Sequence, residues 1–387
     1  MSVTTAAGFV AAGIAAGIKP SGAPDLSLVA TSDGHPVAAA GVFTRNKMTA
    51  APVITSRDHL EATAGHVAAV ILNSGNANAA TGQKGLDDAE AMCSAVAAAL
   101  GVEPDQVLVC STGLIGIPMP IDVITAAIPA LVQERSVDGG PNAARAIMTT
   151  DTVPKEAVIH GDGFVVGGMA KGAAMLSPDM ATMLAVLTTD AAATPEQLKA
   201  ALVHGVADSF NALDVDGCTS TNDTVLLLAS GEAGPVDPAA LGSAVADACA
   251  SLAAQMCADA EGATKVVRMT VMGAASDEQA RIGARQVARS NLVKCSWYGC
   301  DPYWGRIASD LGSCGIEFDP ARFSVSYGGV RVCEGAVDIA HDAAAVAAHM
   351  AGRDLVVIAD LGIGPGTATI LTNDLSHAYI DENMGTS

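Results

Sequence analysis

The chain has 387 residues, of which half are apolar and only 3% are aromatic, and its formal net charge is −21 at pH 7. A chain of this length can bury a large core and is long enough for two or three domain-sized units. The excess of Asp and Glu argues against nucleic acid or an anionic membrane as a partner, because phosphate binding needs concentrated Lys and Arg.

The localisation signals of the chain are few. The apolar stretches fall well short of the ~18 residues that a membrane helix needs, and the first 22 residues lack the basic start of a secretion signal. The nine cysteines are an odd number without a CxxC pair or regular spacing, which predicts neither a zinc site nor a disulfide framework. We therefore expect a soluble, cytoplasmic protein with reduced thiols.

Runs rich in β-branched and other apolar residues predict buried strands. In chain order these runs lie at 67–74, 106–112, 164–170, 182–190, 224–230, 266–273 and 354–362. A hairpin is predicted at 323–333, where apolar and polar residues alternate around Gly328-Gly329.

Helical patterns separate these strands. One helix opens at the capping box of Thr194 and Gln197 and runs to about residue 212, and a second covers about 237–260. A third opens at Ser276, with Gln279 in the box position. The irregular alternation of strands and helices, with a hairpin among them, favours an α+β layered architecture over a strictly parallel sheet.

The common cofactor and hydrolase motifs are missing from the sequence. It contains no Walker A Gly-Lys, no HExxH and no GxSxG, and the Gly-rich segment at 361–368 lacks the third glycine of a dinucleotide fingerprint. We expect neither a metal nor a nucleotide cofactor.

The dipeptide Ala181-Thr182 stands where a loop meets the predicted strand 182–190. A threonine hydroxyl is a weak nucleophile until a base removes its proton. Cleavage before Thr182 would free an α-amine with a pKa near ~8, which can act as that base. The alternative interpretation is that Thr182 only begins a strand and that Lys171 is a surface cation.

The stretch KGAAMLSPDMATML, which begins at Lys171, resembles the signature of the ornithine acetyltransferase family, also called glutamate N-acetyltransferases, of arginine biosynthesis. Other stretches resemble further blocks of the family in the same order: AGIKPSG, GVFTRN, VILNSGNANAATG, VCSTGLIG, AIMTTDTVPK, DGCTSTNDT, ADAEGATK and DPYWGR. The resemblance covers the chain from about residue 8 to the C-terminus.

This resemblance implies an α/β sandwich of the DmpA and ornithine-acetyltransferase type, shared by two fragments. Self-cleavage at Ala181-Thr182 would give an α chain, 1–181, and a β chain, 182–387, assembled as α2β2 or larger. Thr182 would take the acetyl group of N-acetylornithine as an ester and pass it to glutamate.

The resemblance also implies roles for individual residues. Thr112 and Gly113 correspond to the oxyanion hole. The substrate contacts correspond to Thr149 (with Thr150 as a near alternative), Lys171, Thr182, Glu261, Asn383 and Ser387.

Two other functions stay open from the residues. A hydrolase of the same fold would pass the acyl group to water, and an uncleaved chain would serve as a non-catalytic binding module. The second is supported by Ala174, where the family has Gly, and by a C-terminus one residue shorter than usual. Tyr303 is a further departure, and the residues leave open whether acetyl-CoA is also a donor.

Overall fold

The computed structural model describes residues 2–175, 177 and 183–385. Ala181, Thr182 and Ser387 lie outside the described residues. The chain forms two compact units. The first comprises the residues up to Asn211 together with Cys218–Met256, and the second comprises Ala212–Gly217 and Cys257–Gly385.

The first unit contains two sheets. Their strands are β1 (Phe9–Ile14), β2 (Leu26–Thr31), β3 (Val37–Phe43), β4 (His66–Val67), β5 (Ala69–Asn76), β6 (Val107–Leu114), β7 (Lys155–His160), β8 (Val165–Lys171), β9 (Leu184–Ala192) and β10 (Thr224–Pro235). One sheet has the order β1-β2-β5-β6 and the other the order β4-β3-β10-β9-β8-β7. Both sheets mix parallel and antiparallel pairs, as the α+β prediction requires.

Helices accompany these sheets. They are α1 (Ala51–Ala62), α2 (Gly82–Leu100), α3 (Ile121–Gln133), α4 (Gly140–Ala146), α5 (Pro195–Ala207) and α6 (Pro238–Ala258). By length and composition α6 could cross a membrane, but half of its most apolar window is buried. Its buried residues recur every three or four positions: Leu241, Ala244, Val245, Ala248, Cys249, Leu252, Ala253, Met256 and Cys257. This stripe is typical of a helix packed on one face against a core.

The second unit has one sheet and five helices among its described residues. The strands are β11 (Val266–Ala274), β12 (Ser324–Tyr327), β13 (Val330–Glu334), β14 (Val337–Asp338), β15 (Asp354–Asp360) and β16 (Gly366–Asn373), in the order β14-β13-β12-β15-β11-β16. The helices are α7 (Asp277–Arg289), α8 (Asn291–Tyr298), α9 (Trp304–Ser313), α10 (Ala343–Ala351) and α11 (His377–Glu382). The unit has its own apolar core, which includes Trp297, Phe323 and Tyr327.

The predicted strands and the hairpin are confirmed, with small shifts at their ends. The capping box of Thr194 and Gln197 is also present. That helix, however, ends at Ala207 rather than near 212, and the Ser209 hydroxyl donates to the Gly205 carbonyl in its last turn. At Ser276 only half of the predicted box forms, because the Gln279 side chain accepts instead from the Glu317 backbone N–H.

The connection that carries the predicted cleavage bond joins neighbouring strands. β8 and β9 are antiparallel, and Lys171 at the end of β8 pairs with Leu184 at the start of β9. β9 is in turn parallel to β10. Strands from before and after residue 181 therefore belong to one sheet.

Candidate active site

Thr112 and Gly113 lie near the end of β6, directly beside the end of β5. In the parallel register Ser74 pairs with Thr112 and Gly75 with Gly113. Gly113 has φ +129°, and a Cβ at this position would lie 2.3 Å from the Gly75 carbonyl carbon. Only glycine fits this backbone and this approach, because a side chain would be both strained and overlapped.

Lys171 reaches the predicted oxyanion hole. Its ammonium donates to the Thr112 hydroxyl oxygen at 3.2 Å, and the residue is only 8% exposed. The interpretation of Lys171 as a surface cation is therefore wrong. The structure brings together Thr112, Gly113 and Lys171, which lie on two different sheets of the first unit.

Thr149 follows α4 and is held by Asp151. The Thr149 backbone N–H donates to Asp151 Oδ2 at 2.9 Å, and its hydroxyl donates to the same oxygen at 3.4 Å. Asp151 Oδ1 accepts from Lys155 Nζ at 2.5 Å and from the Gly172 backbone N–H at 2.8 Å. The Asp151 carboxylate therefore positions both Thr149, a predicted substrate contact, and Gly172, the residue after Lys171.

The side chains of Asp151 and Lys155 are completely buried. Burial alone would raise the pKa of Asp151, but the charges of Lys171 and Lys155 outweigh it and lower that pKa to about 2. Asp151 is thus a fixed anion between two cations. Our reading of the sequence missed it, although it follows Thr149 and Thr150 in a recognised block.

Lys19 supports the same region from the first recognised block. Its ammonium donates to the carbonyl of Met148, the residue before Thr149, at 2.6 Å and to that of Pro24 at 3.0 Å. Burial lowers the pKa of Lys19, although the charges of Asp25 and Asp151 act to raise it. Lys19 therefore anchors the backbone that leads into Thr149.

Asp223 is a second buried acid that we did not predict, just before β10. Burial holds the pKa of its carboxyl well above the usual range, although the Met183 backbone N–H and the Ser220 and Thr44 hydroxyls act to lower it. Met183 follows Thr182 in the sequence. Asp223 therefore places a carboxyl group, whose ionised form is disfavoured, next to Met183 just before β9.

Ala174 has no unusual backbone conformation. Among the described residues of this loop, positive φ values occur at Gly172 (+158°) and Met175 (+53°), and not at Ala174. The replacement of the family's Gly by Ala174 is therefore accommodated without strain at that residue.

In the second unit, Glu261 and Asn383 contact each other. Asn383 Nδ2 donates to Glu261 Oε2 at 2.7 Å and to the Tyr379 carbonyl at 2.9 Å. Gly262 has φ +62°, and a Cβ there would lie 2.2 Å from Tyr379 N. This close approach fixes the turn that carries Glu261 against α11, which carries Tyr379.

Glu261 lines a small cavity of the second unit, with a volume of about 70 Å³. The other lining residues are Val215, Asp216, Arg289, Asn291, Lys294, Asn373, Asp374, Leu375 and Tyr379. Within the described part of the chain, no cluster of three or more His, Cys, Asp or Glu could hold a metal. A wide cleft of about 1170 Å³ in the first unit lies between α1 and α5 and is lined by none of the predicted site residues.

The chain matches the ArgJ family over residues 10–385. The arginine biosynthesis bifunctional protein ArgJ of Mycobacterium leprae is 52% identical, and the match covers all of this chain and 95% of that relative. The protein of the same name from Thermobifida fusca is 48% identical, with both chains covered in full.

A solved structure, ornithine acetyltransferase complexed with ornithine from Mycobacterium tuberculosis, is 52% identical. Its match covers 46% of this chain and 96% of that chain, with a TM-score of 0.45. The family match and the curated relatives confirm the resemblance inferred from the sequence blocks. The chain belongs to the ArgJ family.

Proposed function

We propose that the chain is a self-cleaving glutamate N-acetyltransferase of arginine biosynthesis. It transfers the acetyl group of N2-acetyl-L-ornithine to L-glutamate through an ester on Thr182. The observation that carries the proposal is the contact of Lys171 with Thr112, which lies beside Gly113. Lys171 ends β8, and the neighbouring strand β9 begins two residues after Thr182.

Self-cleavage would come first. The Thr182 hydroxyl attacks the Ala181 carbonyl, the peptide C–N bond breaks with transfer of a proton to the nitrogen, and water hydrolyses the resulting ester. The α-amine released on Thr182 has an ordinary pKa near ~8, against ~10.4 for a lysine, so it serves as a base near neutral pH.

Acetyl transfer would then use the same hydroxyl. Thr182 attacks the acetyl carbonyl of N-acetylornithine, ornithine leaves with a proton, and the amine of glutamate later attacks the ester. The negative oxygen of each tetrahedral intermediate would accept the Gly113 N–H and the Thr112 hydroxyl, and one such donor is typically worth ~3–4 kcal/mol.

Lys171 would set the direction of the Thr112 hydroxyl. A hydroxyl has one proton and two acceptor lone pairs, and the ammonium of Lys171 occupies an acceptor side of this oxygen. The proton of Thr112 is then directed away from Lys171, which suits a donor to an oxyanion.

Thr149, Lys171, Glu261, Asn383 and Ser387 would contact the substrates. The complex of the Mycobacterium tuberculosis enzyme with ornithine supports ornithine as one of them. The shared sheet of β8 and β9 supports a fold formed by two fragments, residues 1–181 and 182–387, that stay together. We further propose a cytoplasmic α2β2 or larger assembly that needs no cofactor.

The main alternative is a hydrolase of the same fold, in which water replaces glutamate. The contact of the buried carboxylate Glu261 with Asn383 supports binding of an amino-acid ammonium group in either case, and the family match over residues 10–385 favours the transferase. The binding-module alternative has lost part of its support, since Ala174 is not strained. Acetyl-CoA as a further donor stays open.

The first experiment is intact mass spectrometry of the denatured protein, with Thr182→Ala as the control. We expect two fragments that meet at Ala181-Thr182, and a single chain for the variant. Acetyl transfer from N-acetylornithine is then compared with glutamate and with water as acceptor. A wild-type chain that stays uncut, or that releases acetate at the same rate with and without glutamate, contradicts the proposal.

A further inference from the structure

The cavity of the second unit that Glu261 lines also holds a buried lysine, Lys294. This residue is only 4% exposed, and it lies in α8. Its ammonium donates to the Val215 carbonyl at 2.8 Å and to the Thr372 hydroxyl at 3.2 Å. An ammonium has three N–H donors. Among the described residues, these bonds therefore leave one donor beside the cavity.

Three other charged groups line the cavity: Asp216, Arg289 and Asp374. Arg289 Nε donates to Asp214 at 2.7 Å. Asp374 accepts the backbone N–H groups of Thr264 and Lys265, each at 2.9 Å. Glu261 and Lys294 thus place an anion and a cation on the wall of one small cavity, which Asp216 also lines.

The proposed reaction sets a problem that this arrangement solves. In a ping-pong reaction the two substrates occupy the same site in turn, yet the side chain of ornithine ends in an ammonium and that of glutamate in a carboxylate. The terminal nitrogen of ornithine and the terminal oxygens of glutamate are the same number of bonds from their Cα. A single pocket must therefore accept opposite charges at one depth.

We propose that Lys294 is the residue that binds the side-chain carboxylate of glutamate, in the pocket where Glu261 binds the side-chain ammonium of ornithine. This inference rests on the proposed function. The cavity, about 70 Å³, has room for a terminal carboxylate or ammonium group, because about 10–15 Å³ of such space is enough for one water molecule. A charged ligand group in such a small, buried space needs a partner of opposite charge, because an unpaired buried charge is costly.

The test is direct binding of L-glutamate and of L-ornithine, each alone, by isothermal titration calorimetry. The proteins are the wild type, Lys294→Met, Lys294→Arg and Glu261→Gln. Loss of one charge-assisted hydrogen bond in a buried site should weaken binding by about ten-fold or more. We expect this loss for glutamate with Lys294→Met and for ornithine with Glu261→Gln, with the other ligand changed less than about three-fold. Lys294→Arg should retain glutamate better than Lys294→Met.

Thr372→Val is the matched control, because it removes a hydrogen bond of Lys294 and keeps the charge. It should leave the ratio of the two affinities unchanged. Equal weakening of both ligands by Lys294→Met, or no change in either, overturns the inference, and so does a wild type that binds neither ligand. If Lys294→Met does not fold, Lys294→Gln, which also removes the charge, takes its place with the same expected results. Binding is measured without turnover, so a failure of acetyl transfer is seen separately, in the transfer assay.

Discussion

Asp151 and Gly172 are joined by a hydrogen bond of 2.8 Å between the carboxylate and the backbone N–H, across 21 positions of the chain. The same carboxylate holds Thr149 and Lys155. A predicted substrate contact and the first residue after β8 are thus positioned by one buried anion.

Asp151→Asn should destabilise the protein strongly. The neutral amide leaves the ammonium of Lys155 buried without a counter-charge, and breaking a buried ion pair typically costs ~3–5 kcal/mol. The measurement is urea unfolding of the wild type, Asp151→Asn, Lys155→Met and the double variant. The double variant should recover part of the loss, because it leaves no unpaired charge. Costs that simply add would show that the pair is not coupled.

The lowered pKa of Asp151 predicts that the protein loses stability in acid. The pKa of Asp151 is lowered to about 2 in the folded protein, against ~3.9 for an unperturbed Asp. The resulting stability is present above pH ~4 and is lost as the pH falls through 2, with a size of roughly 2–3 kcal/mol. Unfolding curves from pH 6 to 2 should show a steeper decline for the wild type than for Asp151→Asn. Parallel declines contradict the assignment.

Gly113→Ala should abolish most activity. Its Cβ would lie 2.3 Å from the Gly75 carbonyl carbon, so the strand end and the Gly113 N–H must move. Loss of an oxyanion donor costs ~10²–10³ in kcat. Gly116→Ala is the matched control, since Gly116 also has a positive φ (+81°) but nothing lies within 4 Å of its Cβ position. Both variants pay for the backbone strain, about 1 kcal/mol. Equal activity of the two variants would exclude a special role for Gly113.

Glutamate binding should weaken at alkaline pH. Burial lowers the pKa of Lys294 to about 8, although Asp214, Cys257, Asp216 and Asp374 act to raise it. The other charged groups at this cavity are Glu261 and Arg289, and burial raises the pKa of the Cys257 thiol to about 12, outside the range tested. Above pH 8 the cation is progressively lost. The dissociation constant of glutamate should then rise with pH toward the value for Lys294→Met, an increase of about ten-fold.

Ornithine binding provides the internal comparison for that titration. Its side-chain ammonium resembles that of lysine, with a pKa near ~10.4, and it stays charged up to pH 9.5. Both ligands also carry an α-amine that titrates in this range, so calorimetry between pH 7 and 9.5 should show a steeper pH dependence for glutamate than for ornithine. The difference between the two ligands should disappear in Lys294→Met. The same slope for both ligands would assign the titration to another group.

Runs of β-branched and other apolar residues, such as 224–230 and 266–273, predicted strands because these residues pack well in the interior of a sheet. β1 and β3 were missed because their alanines and glycines carry little strand preference, and their pairing partners decide their structure. The roles of Thr112, Gly113 and Lys171 followed from family blocks. Their contact could not be predicted, because Thr112 and Lys171 are 59 positions apart.

Asp151 and Lys294 show the limit of reading residues alone. Within the sequence, Asp151 is one acid among many, and its importance arises only when Thr149, Lys155 and Gly172 meet around it. Lys294 lies in a helix of ordinary pattern. Its burial and its place in the cavity that Glu261 lines depend on the packing of α8 against the segments that carry Val215 and Thr372.

The order of strands in the six-stranded sheet of the first unit constrains how a two-piece enzyme could be made. β9 and β10 come after residue 182, and they lie between β3 and β8, which come before it. A fragment of residues 1–181 would lack β9 and β10, the two central strands of this sheet. A fragment of residues 182–387 would supply only these two strands, without the strands that flank them. Folding must therefore be completed on the intact chain. Halves synthesised separately would have to find each other as unpaired strand edges, with aggregation as the competing outcome.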